Sequence, residues 1–174
     1  MTGRTSGARD IARAALMVAV IEAAKIALSH LPNIELTSFL LVVFTLYFGR
    51  RVLFTIPAFI IIEILIFGFD IMWVCAYIYV WPLLYLLTRI FGGSKSVITL
   101  SVISGFFGLF FGFLCSFPYL FITTGTNPTA SLSSAIAWWI SGIPFDLIHG
   151  VSNFIIMLVL YIPVTKVLDR IIKE

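Results

Sequence analysis

Apolar residues along this chain gather into long blocks separated by charges, prolines and glycines, and each block reads as a helix crossing a bilayer. Six blocks stand out. The first runs from about Ile11 to Leu31 and stops at Pro32. The second runs from about Ile34 to Phe48 and stops at Gly49, Arg50 and Arg51. The third covers Val52 to Phe67 and ends at Gly68, and the fourth covers Ile71 to Phe91 and ends at Gly92 and Gly93. The fifth runs from about Val97 to Ile122. After it comes TTGTNPTASLSS, Thr123 to Ser134, the longest polar stretch outside the termini. The sixth starts between Ala135 and Pro144 and ends near Ile172. Blocks two and three are short against the roughly 20 helical residues a bilayer needs, which predicts a dip, little tilt or local thinning.

No segment alternates apolar and polar residues over about ten positions, so a β-barrel is not expected. Composition strengthens the reading: the chain is 61% hydrophobic and 11% charged, where a soluble domain carries about 25% charged residues. The mean hydropathy is +1.13. The expectation is an all-α integral membrane protein, a single domain over residues 1–174 with six transmembrane helices and no internal repeat. The basic start is followed by an apolar run longer than a signal-peptide core, without a well-placed small-residue cleavage site, and reads as a retained first span. Cys75 and Cys115 lie within apolar blocks, where buried thiols rather than a disulfide are expected.

Charge then orients the spans. Arg4, Arg9 and Arg13 precede the first; Arg50 and Arg51 lie between the second and third; Arg89 and Lys95 flank the turn from the fourth to the fifth; Lys166, Arg170 and Lys173 close the chain. With six spans all of these fall on one side, and only Lys25 is left over. The positive-inside rule places both termini in the cytoplasm. This predicts a multi-pass protein of the cell membrane, in a prokaryotic plasma membrane.

The remaining polar groups cluster towards the other side. Asn33, Glu35 and Asp70 fall in outer loops. Glu63, five residues before Gly68, lies about 7 Å below the outer end of the third span. Lys25 is expected to snorkel or to pair with Glu22 at i−3. Pro144 reads as a first-turn proline of the sixth span, which puts Asp146 in that first turn, either as a cap or in a pocket. His149 and Asn153 follow on the same face. Trp73, Tyr77 and Trp81 recur at i, i+4 and i+8, with Trp138 and Trp139 just before the sixth span. An interfacial belt accounts for Trp73, Trp138 and Trp139, but Trp81 lies about 12 Å deeper than Trp73. Ionisable groups in a span face a cavity more readily than hydrocarbon, so these residues predict an outward-opening pocket with an aromatic wall.

On the first span Ala12, Ala15, Ala19, Ala23 and Ala27 recur at three- and four-residue spacing, a stripe that admits a close helix neighbour from this chain or another. Six spans, cytoplasmic ends, this stripe, the segment LPNIELTSFLLVVFTLYFGRR and the segment GIPFDLIHGVSNF together resemble the S component of energy-coupling factor (ECF) transporters. S components are the membrane-embedded substrate-capture subunits of vitamin-uptake ABC transporters. The resemblance covers essentially the whole chain. It implies high-affinity binding of a vitamin or related micronutrient. It also implies contact of Ala15, Ala19 and Ala23 with a T component, and energy from two cytoplasmic ATPase subunits. The segment Leu31 to Leu36 would form part of a gate, and spans four to six most of the pocket. Glu22 and Lys25 depart from the pattern by interrupting the upper stripe.

The chain has no phosphate-binding loop: GGSKS, Gly92 to Ser96, lacks the required first glycine. A self-sufficient carrier or channel, with Glu63, Asp146 and His149 as a proton relay, is the alternative, although such folds usually show midplane charges and an inverted repeat. An intramembrane enzyme has less to support it, since His30 and His149 are the two histidines and no HExxH motif occurs. No catalytic residue, metal, cofactor or nucleic-acid partner is expected.

Overall fold

The computed structural model describes residues 4–122 and 128–173, and among them every regular element is helical. The helices are α1 (Arg4–Ala27), α2 (Thr37–Phe48), α3 (Val52–Phe67), α4 (Ile71–Phe91), α5 (Val97–Leu109), α6 (Phe111–Ile122) and α7 (Pro128–Lys173), with 3₁₀ turns at Gly49–Arg51 and Gly92–Ser94. Among the described residues three stretches are long and apolar enough to cross a membrane: Ile71–Ser94 (24 residues), Val97–Ile122 (26 residues) and Leu132–Ile172 (41 residues). Their outward faces are greasy, as are those of their neighbours; Leu65 on α3 is 74% exposed and Phe54 72%. Such a surface suits lipid better than water.

Helices α3 and α4 have the bounds that the sequence predicts. Elsewhere the pattern misplaces the ends. The first helix starts at Arg4 and stops at Ala27, short of Leu31, and the second starts at Thr37, so Ile34 to Leu36 belong to the connection. The last helix is already formed at Pro128, whereas the sequence puts its start between Ala135 and Pro144. Pro144 is therefore an interior proline and Asp146 is not in a first turn. Polar residues in the stretch before Ala135 pointed to a loop, but the first four N–H groups of a helix need no internal acceptor, so Pro128 can open one at no cost in bonding. Of the polar stretch 123–134, residues 123–127 lie outside the described residues.

The shortness of α2 has a packing explanation. Its residues Thr37 to Thr45 are all buried, and the helix touches α1, α3, α4, α5 and α7. A helix buried on every side reads apolar all round and need not match the lipid thickness. At its C-terminal end Tyr47 donates to Asp169 (2.8 Å) and to the Thr165 carbonyl (3.2 Å) on α7, and Lys95 lies 5.9 Å from the Tyr47 ring. Arg51 meets Asp10 of α1 at 2.8 Å. The basic turns, the N-terminal part of α1 and the C-terminal part of α7 are thus gathered at one end of the bundle. Twelve residues of α2 rise about 18 Å from that end to the connection 28–36, of which Ser29 to Asn33 are exposed and Ile34 to Leu36 half-buried.

The most extensive contact joins α5 and α6 to α7. Gly105, Gly108 and Gly112 lie on its inner line with Gly150 opposite. A methyl group at Gly108 would come within 2.8 Å of the His149 carbonyl and 2.9 Å of the Gly150 backbone. Backbones approach this closely in apolar surroundings only where side chains are missing.

Candidate ligand-binding site

Among the inward-facing residues of α7 is a polar group, beside the apolar Ala135, Met157 and Tyr161. Asp146, His149, Ser152 and Asn153 are all buried, and Asn153 is 1% exposed. His149 Nε2 stands 3.1 Å from Glu35 Oε1, and Ser152 donates to the Asn33 carbonyl at 3.2 Å. Asn33 holds φ at +58°, a left-handed turn that Asn tolerates better than most residues. Glu35 also accepts from the Ser38 N–H (3.0 and 3.2 Å), closing the first turn of α2. The connection 28–36 is therefore fastened at two points to α7. Asn33 itself is exposed, and its site contribution is the backbone carbonyl.

Asp146 has a different duty from the one predicted. Its Oδ1 accepts from the Gly112 N–H at 2.9 Å. The fifth apolar block breaks at Phe110, between α5 and α6, and Gly112 lies in the first turn of α6. Asp146 thus caps the neighbouring helix rather than its own. A Cβ at Gly112 would collide with this carboxylate. The other oxygen, Oδ2, has no partner among the described residues.

Towards the end opposite the basic turns, a cleft of about 440 Å³ opens between α1, α3 and α4. Lys25, Glu63, Phe67, Asp70, Trp73 and Tyr77 are among its lining residues. Lys25 forms an ion pair with Glu63, not with Glu22 as the sequence suggested. Three-residue spacing brings Glu22 near, but Glu63 on α3 offers its carboxylate directly across the helix interface. Asp70 accepts from the N–H groups of Met72 and Trp73 and starts α4.

Aromatic rings connect the cleft to His149. Trp73 and Tyr77 meet edge to face with centroids 5.9 Å apart, Tyr77 and Trp81 at 5.2 Å, Trp81 and Phe111 at 5.6 Å, and Phe111 and His149 at 4.8 Å. Trp81 is buried at 3% exposure, and its Nε1–H has no acceptor among the described residues. Neither do His149 Nδ1 or either amide atom of Asn153 have partners among the described residues. Buried polar groups are normally paired, because leaving one unpaired costs about 1–3 kcal/mol. The interior therefore holds an unpaired donor at Trp81, both functions of Asn153 and a ring nitrogen of His149.

The predicted residues fall into groups. Trp73, Tyr77 and Glu63 line the cleft; Trp81, His149, Asn153 and Glu35 do not line it but lie in the interior, His149 against Glu35 and reached from Trp81 through Phe111. Trp138 stands at the rim, 6.1 Å from Trp73. Trp139 points elsewhere, packing 5.1 Å from Phe113, and leaves the site; both tryptophans lie within α7 rather than before it. Ala15, Ala19 and Ala23 are exposed, with Met17, Val18 and Ile21 turned inward, so the stripe does not pack inside this chain. Glu63, Asp146 and His149 each hold a different partner, Lys25, Gly112 and Glu35.

Sequence reasoning passed over Phe59, Phe111 and the glycine line. Phe59 stacks on Tyr77 at 6.0 Å, and Phe111 bridges Trp81 to His149. Among seventeen phenylalanines nothing distinguished these two. The spacing Gly105, Gly108, Gly112 was a readable signal of close packing. No family model, curated protein or solved structure matches the chain.

Proposed function

We propose that the chain is the membrane-embedded substrate-capture subunit, or S component, of an ECF-type uptake system for a vitamin or related micronutrient. In this reading α1, α2, α3, α4, the broken helix α5–α6 and α7 make six spans with both termini cytoplasmic. The gathering of basic turns at one end supports that orientation. The exposed alanines support a helical partner, the T component, which would transmit energy from two cytoplasmic ATPase subunits.

One observation carries the reading. Asn153, Trp81 and His149 Nδ1 present buried polar atoms without partners among the described residues, beside an aromatic path leading to a cleft at the non-basic end. An apolar wall with a few convergent polar anchors is the usual build of a small-molecule site. The segment 28–36, fastened through Asn33 and Glu35, lies where a gate would act.

The test is native mass spectrometry of the detergent-purified full chain, followed by titration calorimetry with the molecule it retains. Asn153→Ala is expected to weaken binding roughly five- to 150-fold, the equivalent of about 1–3 kcal/mol. A chain that retains no small molecule and binds none would sink the proposal.

A further inference from the structure

Glu22 and Lys25, one turn apart on α1, both meet Glu63 of α3. Lys25 forms an ion pair with Glu63 and neutralises it. The carboxyl groups of Glu22 and Glu63 are themselves in hydrogen-bonding contact. Ionised carboxylates only accept, so that contact needs a proton on one of the two. No other donor among the described residues reaches either oxygen of Glu22 or Oε1 of Glu63. Glu22 is 5% exposed, away from the water that would hydrate a charge. Two carboxylates in contact ionise together only at a large cost, and one proton between them removes it. With that proton the group is balanced: a neutral Glu22 donates to a Glu63 whose charge Lys25 cancels.

The neighbouring elements add no charge to this account. Tyr77 of α4 lies within electrostatic range of Glu22, Glu63, Glu35 and Cys115. A phenol brings no charge at neutral pH, and Glu35 is paired with His149. On α2 the one titratable side chain, Tyr47, is at the far end with Asp169. Lys25 and Glu63 line the cleft and Glu22 does not, so a proton passes between Glu22 and the medium by way of Glu63. Shortly beyond Glu22, α1 ends at Ala27 and runs into the connection 28–36, which Asn33 and Glu35 fasten to α7. The charge state of the pair therefore acts on the α1–α3 contact from which that connection departs.

We propose that Glu22 and Glu63 hold one proton between them, forming a clasp between α1 and α3 that loosens the cleft when the proton leaves to the medium. Proton loss sets two carboxylates against the single Lys25 ammonium. Their repulsion is relieved when the two helices separate and water enters from the cleft. The clasp acts in this way whatever molecule the chain captures.

The test begins with infrared difference spectra of the detergent-purified full chain between about pH 5.5 and about pH 9, a range over which ordinary carboxyls are already ionised. A protonated carboxyl reports itself through its C=O stretch. Such a band is expected to disappear as pH rises and to be missing in Glu22→Gln. Glu63→Gln is expected to remove it as well, because Lys25 is then free to pair with Glu22 and ionise it. A band that persists in Glu63→Gln would mean that burial alone protonates Glu22, and overturns the shared proton. Opening is read from the alkylation rate of Val74→Cys, a half-buried residue of the cleft, in a background lacking Cys75 and Cys115. Glu22→Gln keeps a donor to Glu63 and stands for the protonated state at every pH. Measured against the same cysteine with Glu22→Gln, which cancels the titration of the thiol, the rate is expected to rise about threefold or more across the range. Thermal midpoints verify folding, and Glu22→Met replaces Glu22→Gln if the latter does not fold. Equal alkylation rates in the two backgrounds at every pH, or no titrating band, overturn the proposal.

Discussion

His149 Nε2 and Glu35 Oε1 lie 3.1 Å apart although 114 positions separate them in the chain. The contact joins the connection before α2 to the inward face of α7. A hydrogen bond involving an ionised group contributes about 1.5–3 kcal/mol. A double-mutant cycle with Glu35→Gln and His149→Ala, read by thermal unfolding in detergent, is expected to return a coupling of about 1–3 kcal/mol. Strict additivity of the two substitutions would mean that the pair does not hold the segment down.

The Asp146–Gly112 contact predicts an ordering of variants. Asp146→Asn keeps an acceptor for the Gly112 N–H and is expected to leave stability within about 1 kcal/mol of the parent. Asp146→Ala leaves that buried N–H unpaired and is expected to cost about 1–3 kcal/mol. Gly112→Ala drives a methyl group into the carboxylate and is expected to lower the thermal midpoint further than Asp146→Asn. A neutral Gly112→Ala would show that α6 and α7 stand farther apart than described.

The outward stripe on α1 separates binding from energy coupling. Ala19 is exposed, on the face of α1 away from the inward-turned Met17, Val18 and Ile21. Ala19→Trp is expected to abolish co-purification with a T component and energised uptake, while ligand affinity of the isolated chain changes by less than about threefold. Simultaneous loss of ligand binding would place the stripe inside the fold instead.

Orientation is checked by cysteine labelling in a background lacking Cys75 and Cys115. Phe69 and Ser94 are both exposed, in the α3–α4 connection and at the turn after α4. In intact cells Phe69→Cys is expected to react with a membrane-impermeant maleimide, and Ser94→Cys only after permeabilisation. Labelling of Ser94→Cys in intact cells would invert the topology and the cleft with it.

Much of the helical layout was legible because it depends on local composition. The blocks Val52–Phe67 and Ile71–Phe91 end at glycines, where the chain leaves helical geometry, and Gly68 adopts φ +93°. The shared face of Asp146, His149 and Asn153 follows from helical periodicity alone. The asymmetry of Lys and Arg is likewise a property of sequence order once the blocks are counted. Proline and loop-like polarity misled at Pro144, because an interior proline between packed helices is tolerated when neighbours re-satisfy the backbone.

Partners across the bundle were decided only by tertiary structure. Lys25 had a carboxylate three residues away, yet its partner is Glu63, 38 positions distant. Asp146 capped a helix, but the helix was α6, reached through a glycine that allows the backbones to meet. Phe111 acquired its place between Trp81 and His149 from the packing of α6 against α4 and α7. Periodicity fixes which way a side chain points from its own helix. Which group it meets depends on how closely and at what depth two helices approach, and that is set by packing among residues far apart in the chain.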